Sequence, residues 1–199
     1  MKFAIFLTFM LTASFLSAAV GDLPLEDGDI IFQKSMSRQS QAIEAATHSP
    51  LTHVGIVFYE RGVPYIYEAV QPVKKTKLSD WGRRGENGSF VVRRLKDKSN
   101  IDMDRLKSEV MTYLGRDYDA LFGWSDSTIY CSELVWKAYD RACGVQIGDL
   151  RKLKDFDLSH PVVQKTLRQR YGSCIPFDMD VISPADIFQS GLLFTVVAK

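Results

Sequence analysis

The chain has 199 residues, a length that suits one domain better than two. Hydrophobic residues make up 46% of it and charged residues 25%, as in a globular fold that buries a real core. The formal net charge of +1 excludes the overall positive field of a nucleic-acid-binding protein, so no nucleic-acid partner is expected.

The first residues have the pattern of a secretory signal peptide. Lys2 precedes an apolar run over residues 3–15, and small residues follow at 17–19. The run is shorter than the roughly 20 residues of a membrane-spanning helix, although an uncleaved anchor is the alternative interpretation. We therefore expect a signal peptide over 1–19, a mature domain over 20–199, export to a bacterial periplasm, and no stable membrane insertion after cleavage.

The mature chain alternates short strand and helix patterns. A strand is predicted at 30–32 and a helix at 37–46, with Ser37 able to cap it. Two runs rich in β-branched and aromatic residues, 53–59 and 65–69, predict a hairpin that turns at Glu60-Arg61-Gly62.

The second half of the chain contributes most of the predicted helices. The further predicted elements are a strand at 90–94, a helix capped by Asp102 and closed by Gly115, a helix that begins at Cys131 and stops at Gly144, a helix at 159–171, and a strand at 192–197. Helices segregated from an antiparallel sheet predict an α+β domain.

Three cysteines are present, Cys131, Cys143 and Cys174. In an oxidising compartment an odd number leaves one thiol unpaired, and a Cys143–Cys174 disulfide is one open possibility. No pair has the CxxC spacing of a redox dithiol or a zinc ribbon, and the three histidines do not form a helical metal-ligand pattern. We expect neither a metal ion nor another cofactor.

Cys131 is the strongest candidate for chemistry. It stands at the start of an amphipathic helix, where unpaired backbone N–H groups and the helix dipole favour negative charge. A thiolate is the reactive form of cysteine, and the same N–H groups can stabilise an oxyanion during acyl transfer. The alternative is that Cys131 is only a small core residue.

His53 and Glu68 are the candidate partners of this thiol. His53 begins one strand of the predicted hairpin and Glu68 ends the other, and a turn near Arg61 would place the two residues opposite each other. The carboxylate could then hold the imidazole tautomer, as the third group does in catalytic triads. The alternatives are a structural histidine and a glutamate at a strand edge that faces water.

Several motifs together resemble the YiiX-like branch of the permuted papain-fold amidases, which are related to NlpC-type cell-wall peptidases. The motifs lie at 28–32 (GDIIF), 47–48 (TH), 52–55 (THVG), 67–70 (YEAV), 115–119 (GRDYD), 130–135 (YCSELV), 153–158 (LKDFDL) and 182–184 (ISP). The order of His53 and Glu68 before Cys131 is that of circularly permuted members, which include lecithin retinol acyltransferase-like proteins.

The resemblance implies a papain-like site with Cys131 as nucleophile, His53 as base and Glu68 as the polar third residue. It also implies a tyrosine lining the site, for which Tyr118 and Tyr130 are both candidates. The expected function is amide hydrolysis in the cell envelope, with a peptide or peptidoglycan fragment as substrate. The alternatives are an amidase, thioesterase or acyltransferase of acyl lipids, which should show an apolar groove, and a non-catalytic envelope binding module. The oligomeric state is left open.

Overall fold

The structure, a computed structural model, describes residues 23–199, so the predicted signal peptide lies outside the described residues. The strands are β1 (Ile30–Gln33), β2 (His53–Glu60), β3 (Val63–Glu68), β4 (Lys74–Lys77), β5 (Val91–Leu95), β6 (Asp117–Tyr118), β7 (Thr128–Ile129), β8 (Arg151–Lys152), β9 (Asp180–Val181) and β10 (Leu193–Ala198). The helices are α1 (Arg38–Thr47), α2 (Leu78–Gly82), α3 (Met103–Met111), α4 (Cys131–Cys143), α5 (Pro161–Tyr171) and α6 (Pro184–Gln189).

Six of the strands form one antiparallel sheet in the order β10-β5-β1-β2-β3-β4. Residues alternate between the two faces of a strand, so each face acquires its own apolar set. One face, which includes Val54, Ile56 and Phe58, packs against α4, whose apolar residues such as Leu134 and Val135 complete the main core. The opposite face packs against α2.

A third, smaller apolar cluster joins α1 and α5 beside the sheet. It includes Leu153, Phe156, Val163, Leu167 and Val181. This cluster matters because it brings α1 and α5 close to the first turn of α4, where Cys131 lies.

The strands and helices that the sequence predicts are present. The helix at Cys131 has the predicted bounds and ends at Gly144, which takes the left-handed conformation with φ 65°. Asp102 caps α3 by accepting from the Arg105 N–H, but the helix ends at Met111 and not at Gly115. Ser37 precedes α1 without a side-chain capping bond.

The hairpin register differs from the prediction by two residues. A two-residue loop, Arg61 and Gly62, connects β2 to β3, and both residues have positive φ, as the right-handed twist of the strands favours. Glu60 therefore pairs with Val63, and Gly55 comes to lie opposite Glu68. The predicted face-to-face pairing of His53 with Glu68 was wrong, because it allowed no residues for the turn itself.

None of the helices among residues 23–199 combines the length and the apolar composition that crossing a membrane requires.

Candidate active site

The site is built where the start of α4 meets the first residue of β2. Cys131 is the first residue of α4 and is buried. The short strand β7 leads directly into this helix and pairs in parallel with β6, which places Tyr118 beside Ile129. The Tyr130 N–H donates to the Glu133 side chain at 3.2 Å, which fixes the entry into the helix. The sulfur is thus held at a rigid helix N-terminus.

His53 and Glu68 are in direct contact despite the shifted register. The His53 Nε2 and Glu68 Oε2 atoms lie 2.6 Å apart, and both side chains are buried. They meet diagonally across the ladder, over Gly55. A Cβ at Gly55 would lie 2.6 Å from an Ile66 methyl carbon and 2.8 Å from the Tyr67 carbonyl oxygen, so only glycine fits here. The missing side chain gives Glu68 the space to reach the histidine.

The remaining oxygen of Glu68 is also fully used. Oε1 accepts from the Thr76 hydroxyl at 2.6 Å and from the Arg84 guanidinium. Burial alone would raise the pKa of this carboxyl, but the bonds from His53 and Thr76 and the charge of Arg84 outweigh burial and lower it. Glu68 is therefore a carboxylate that is fixed in position, and it is not the water-facing residue of the alternative interpretation.

The His53 ring lies between this carboxylate and the thiol. Cys131 lies near enough to the ring to contribute to its raised pKa. Because Nε2 faces Glu68, Nδ1 is the nitrogen available to the sulfur. Burial lowers the pKa of His53, but interactions with Cys131 and Glu68 outweigh it and raise the pKa to about 9. The arrangement therefore favours an imidazolium beside the thiol.

Trp81 of α2 packs on the histidine from the other side. The two ring centroids lie 6.0 Å apart at an interplanar angle of 26°, and Trp81 is completely buried. A stacked indole restricts rotation of the imidazole and excludes water from the His53–Glu68 bond. Sequence reasoning missed this residue, because the strand β4 and the short helix α2 gave no clear pattern.

The two candidate tyrosines have different environments. The Tyr118 hydroxyl accepts from Gln39 Nε2 at 2.9 Å, and its own proton is free to donate. Burial raises the pKa of Tyr118, with a further contribution from nearby Cys131. The Tyr130 hydroxyl instead accepts from the Ile182 backbone N–H at 3.1 Å, and its ring packs on Phe122. Tyr118 faces the polar side of the site, whereas Tyr130 ties α4 to the chain near α6.

Gln39 and Arg170 form a second set of residues that the sequence did not reveal. Arg170 of α5 donates to Gln39 Oε1 at 2.7 Å, which orients the Gln39 amide toward Tyr118. The Arg170 guanidinium also stacks over Phe122, 4.7 Å from the ring centroid. Two helices far apart in sequence thus hold the Tyr118 hydroxyl, and no local motif could have indicated this.

An apolar pocket opens beside Cys131, between α1, α5 and the start of α6. Its apolar wall consists of Ala42, Ile43, Ala46, Phe122, Leu153, Phe156, Leu158, Val163, Leu167, Val181, Ile182 and Pro184.

The uncharged polar side chains in this wall have their polar atoms bonded to the protein. The Arg170 guanidinium also lines the pocket, and it donates through Nη2 only, to Gln39. Thr47 and Thr166 donate to backbone carbonyls of their own helices, and Ser132 donates to the Ile182 carbonyl. Ser183 donates to Asp186, and Gln39 is bonded to Arg170. The pocket therefore presents a mainly apolar surface that ends at Cys131.

The three cysteines are all free thiols in the structure. Cys174 is exposed and Cys143 is half-buried. The disulfide that the sequence left open is not formed.

Comparison with known families decides the identity of the fold. A family model described as "Permuted papain-like amidase enzyme, YaeF/YiiX, C92 family" matches residues 24–197. The chain belongs to this family. Membership confirms the predicted family and the α+β permuted papain-like fold, in which the histidine strand precedes the cysteine helix. It also makes the protein a member of an amidase family, and so a hydrolase.

Two E. coli proteins are similar to this chain over most of its length. The sequence is 46% identical over 175 residues to "Uncharacterized protein YiiX" of Escherichia coli (strain K12), with 87% of each chain covered. It is also similar, with a TM-score of 0.83 and 45% identity, to the structure described as "Crystal structure of metalloprotein yiiX from Escherichia coli O157:H7, DUF1105". That match covers 87% of this chain and 97% of the other.

Proposed function

We propose that this protein is an exported cysteine amidase that cleaves an amide whose acyl group is apolar, with Cys131, His53 and Glu68 as its catalytic residues. The observation that carries the substrate assignment is the apolar pocket that ends at Cys131. The contact of His53 Nε2 with Glu68 Oε2 at 2.6 Å supports the catalytic assignment.

The chemistry follows from the positions of the groups. The Cys131 thiolate attacks the amide carbonyl, and the Tyr118 hydroxyl and the N–H groups at the start of α4 stabilise the oxyanion. Protonated His53 gives its proton to the nitrogen as the C–N bond breaks, which leaves an acyl thioester on Cys131. His53 then takes a proton from water, which attacks the thioester and releases the carboxylic acid. Glu68 keeps the imidazole oriented throughout.

The apolar pocket helps to decide between the two substrate classes expected from the sequence, a peptidoglycan peptide and an acyl lipid. A peptidoglycan stem peptide carries charged and polar groups on its acyl side, and burying them without partners is costly. The uncharged polar side chains in the pocket wall are already bonded within the protein, and Arg170 is the one charged side chain among the lining residues. The pocket wall therefore favours a substrate with an apolar acyl group, which the sequence left as an alternative. The bond that is broken remains an amide.

The solved E. coli relative is described as a metalloprotein, which raises the question of whether this chain has the side chains to bind a metal ion. Among residues 23–199, no group of three or more His, Cys, Asp or Glu side chains is placed to hold one. We assign no metal ion to the site.

An acyl-chain series tests this function. Against N-acyl p-nitroanilides of increasing chain length, kcat/KM should rise by about fourfold per methylene until the pocket is filled, since a buried CH₂ contributes about 0.8 kcal/mol. Ala46→Leu fills part of the pocket and should end the rise at a shorter chain. Ala45→Leu, next to it but outside the pocket wall, is the matched control. Cleavage of muropeptides with no cleavage of acyl anilides would contradict the proposal.

A tyrosine pair tests the assignment of the oxyanion donor. Tyr118→Phe should lower kcat by about 10²-fold with little change in Tm, because it removes one donor to the oxyanion. Tyr130→Phe should leave kcat within about twofold but lower Tm, because it leaves the buried Ile182 N–H without its acceptor. Kinetics and thermal unfolding of both variants check this, and an equal loss of kcat in the two would refute the distinction.

A further inference from the structure

A second cavity opens beside the apolar pocket, with which it shares the lining residues Gln39 and Ile43. This polar cleft has a volume of about 570 Å³ and begins at His53 and Tyr118. It lies between the end of β1, the start of α1 and the segment after α2. Its other lining residues are Gln33, Ser35, Met36, Ser37, Gln39, Ile43, Thr52, Ala69, Val70, Gln71, Arg83 and Arg84.

The cleft lies where the amine half of a substrate must go. With the acyl group in the apolar pocket and the carbonyl carbon at Cys131, the nitrogen has to face the proton that His53 supplies. His53 lines the polar cleft and not the apolar pocket, whereas Cys131 lines the apolar pocket. The two cavities therefore divide the substrate at the bond that is cleaved.

The charge of the lining favours an anion. Two arginines, Arg83 and Arg84, line the polar cleft, and no aspartate or glutamate is among its lining residues, although Arg83 is paired with Asp80 and Arg84 with Glu68. Arg84 donates to Glu68 through Nη2 only, so its other N–H groups remain available for a ligand. Guanidinium groups bind carboxylates with matched planar geometry.

Gln33 also lines the polar cleft, next to His53. It pairs directly with His53 across β1 and β2, and its side chain is buried, with an exposed fraction of 2%. Its Oε1 is fully buried and packs against Gly85, where an added Cβ would lie 2.5 Å from it, so this oxygen does not face the cleft.

We propose that the polar cleft binds the amine half of the substrate as an amino acid with a free carboxylate, so that the substrates are N-acyl amino acids. Arg84, with Arg83 beside it, binds the carboxylate. Hydrolysis adds one water, releases the amino acid from the polar cleft and leaves the carboxylic acid in the apolar pocket. This inference rests on the proposed amidase function.

The test compares an N-acylglycine with the corresponding N-acylglycinamide, which carries the same acyl chain and lacks only the negative charge. Wild type should prefer the acylglycine by about tenfold or more in kcat/KM, the value of one charge-assisted hydrogen bond. Arg84→Gln should reduce that preference to within about twofold, and Arg84→Lys should retain part of it.

Thr76→Val is the matched control for the Glu68 contact of Arg84. Thr76 donates to the same Glu68 oxygen but does not line the polar cleft. It should lower both rates together and leave the preference unchanged.

The outcomes separate this inference from the function on which it rests. If the acylglycinamide is cleaved as fast as the acylglycine, or if only acyl anilides are cleaved, the amino acid assignment is overturned and the amidase function stands. If the acyl anilides also resist cleavage, the proposed function itself fails. A preference that survives Arg84→Gln would overturn the role of Arg84.

Discussion

Cys131→Ala is expected to lower kcat by about 10⁴-fold or more on any amide that the wild type hydrolyses. The sulfur makes the covalent bond to the acyl carbon, and alanine leaves no group that can do so. The side chain is small and buried, so the fold should tolerate the change. Steady-state kinetics with thermal unfolding as a folding check measure the effect.

The other two thiols provide the controls for this experiment. Cys143 and Cys174 are both free, so Cys143→Ala and Cys174→Ala remove a thiol without touching the site. Both should retain wild-type kcat within about twofold. Full activity of Cys131→Ala would exclude a cysteine mechanism, and a Cys131 that reacts with electrophiles no faster than an unfolded peptide would favour a non-catalytic binding module.

His53→Gln should also lower kcat by about 10³-fold or more. The glutamine amide can still hydrogen-bond to Glu68, but it cannot donate a proton to the leaving nitrogen or accept one from water. The predicted readout is loss of both acylation and deacylation, seen as loss of the single-turnover burst. A variant that folds and keeps activity within tenfold of wild type would remove His53 from the mechanism.

The wild-type pH profile gives an independent check on His53. Since the pKa of this ring is raised from 6.5 to about 9, its proton should remain until the pH reaches about 9. We expect kcat/KM to stay constant as the pH rises to about 9 and to fall above that pH. The same shift means that the charged ring stabilises the fold fully below pH 6.5, and that this stabilisation is lost as the pH rises through 9. A falling limb near pH 6.5 would contradict the shift.

The sequence was informative where a local pattern determines local structure. The apolar spacing after Cys131 and the glycine at 144 predicted the bounds of α4 correctly. The choice of His53 and Glu68 was consistent with the hairpin, and the structure brings these two side chains together. Their catalytic roles stay predictions until the variants are measured.

The exact contact between His53 and Glu68 could not be read from sequence. The register depends on the length of the turn, and the two-residue loop at Arg61 and Gly62 moves the pairing by two positions. The residues still meet because Gly55, opposite Glu68, has no side chain to block the diagonal. A predicted contact thus survived a wrong register for a reason that only the structure shows.

Interactions between distant segments account for what the sequence missed. Tyr118 and Tyr130 looked equivalent by position, and only Gln39 and the Ile182 backbone distinguish them. The apolar pocket is likewise shared by segments that are separated along the chain by more than 100 residues, including those of Ala42 and Pro184. No single motif carries such information, because packing between helices decides it.

Mass spectrometry of the acid-quenched enzyme tests the central claim most directly. Mixing the protein with an N-acyl p-nitroanilide and stopping the reaction within one turnover should trap the acyl group as a thioester. Peptide mapping should place the added mass on the peptide that contains Cys131 and on neither of the other cysteine peptides. Turnover without any adduct on Cys131, or an adduct on another residue that persists in Cys131→Ala, would contradict the mechanism.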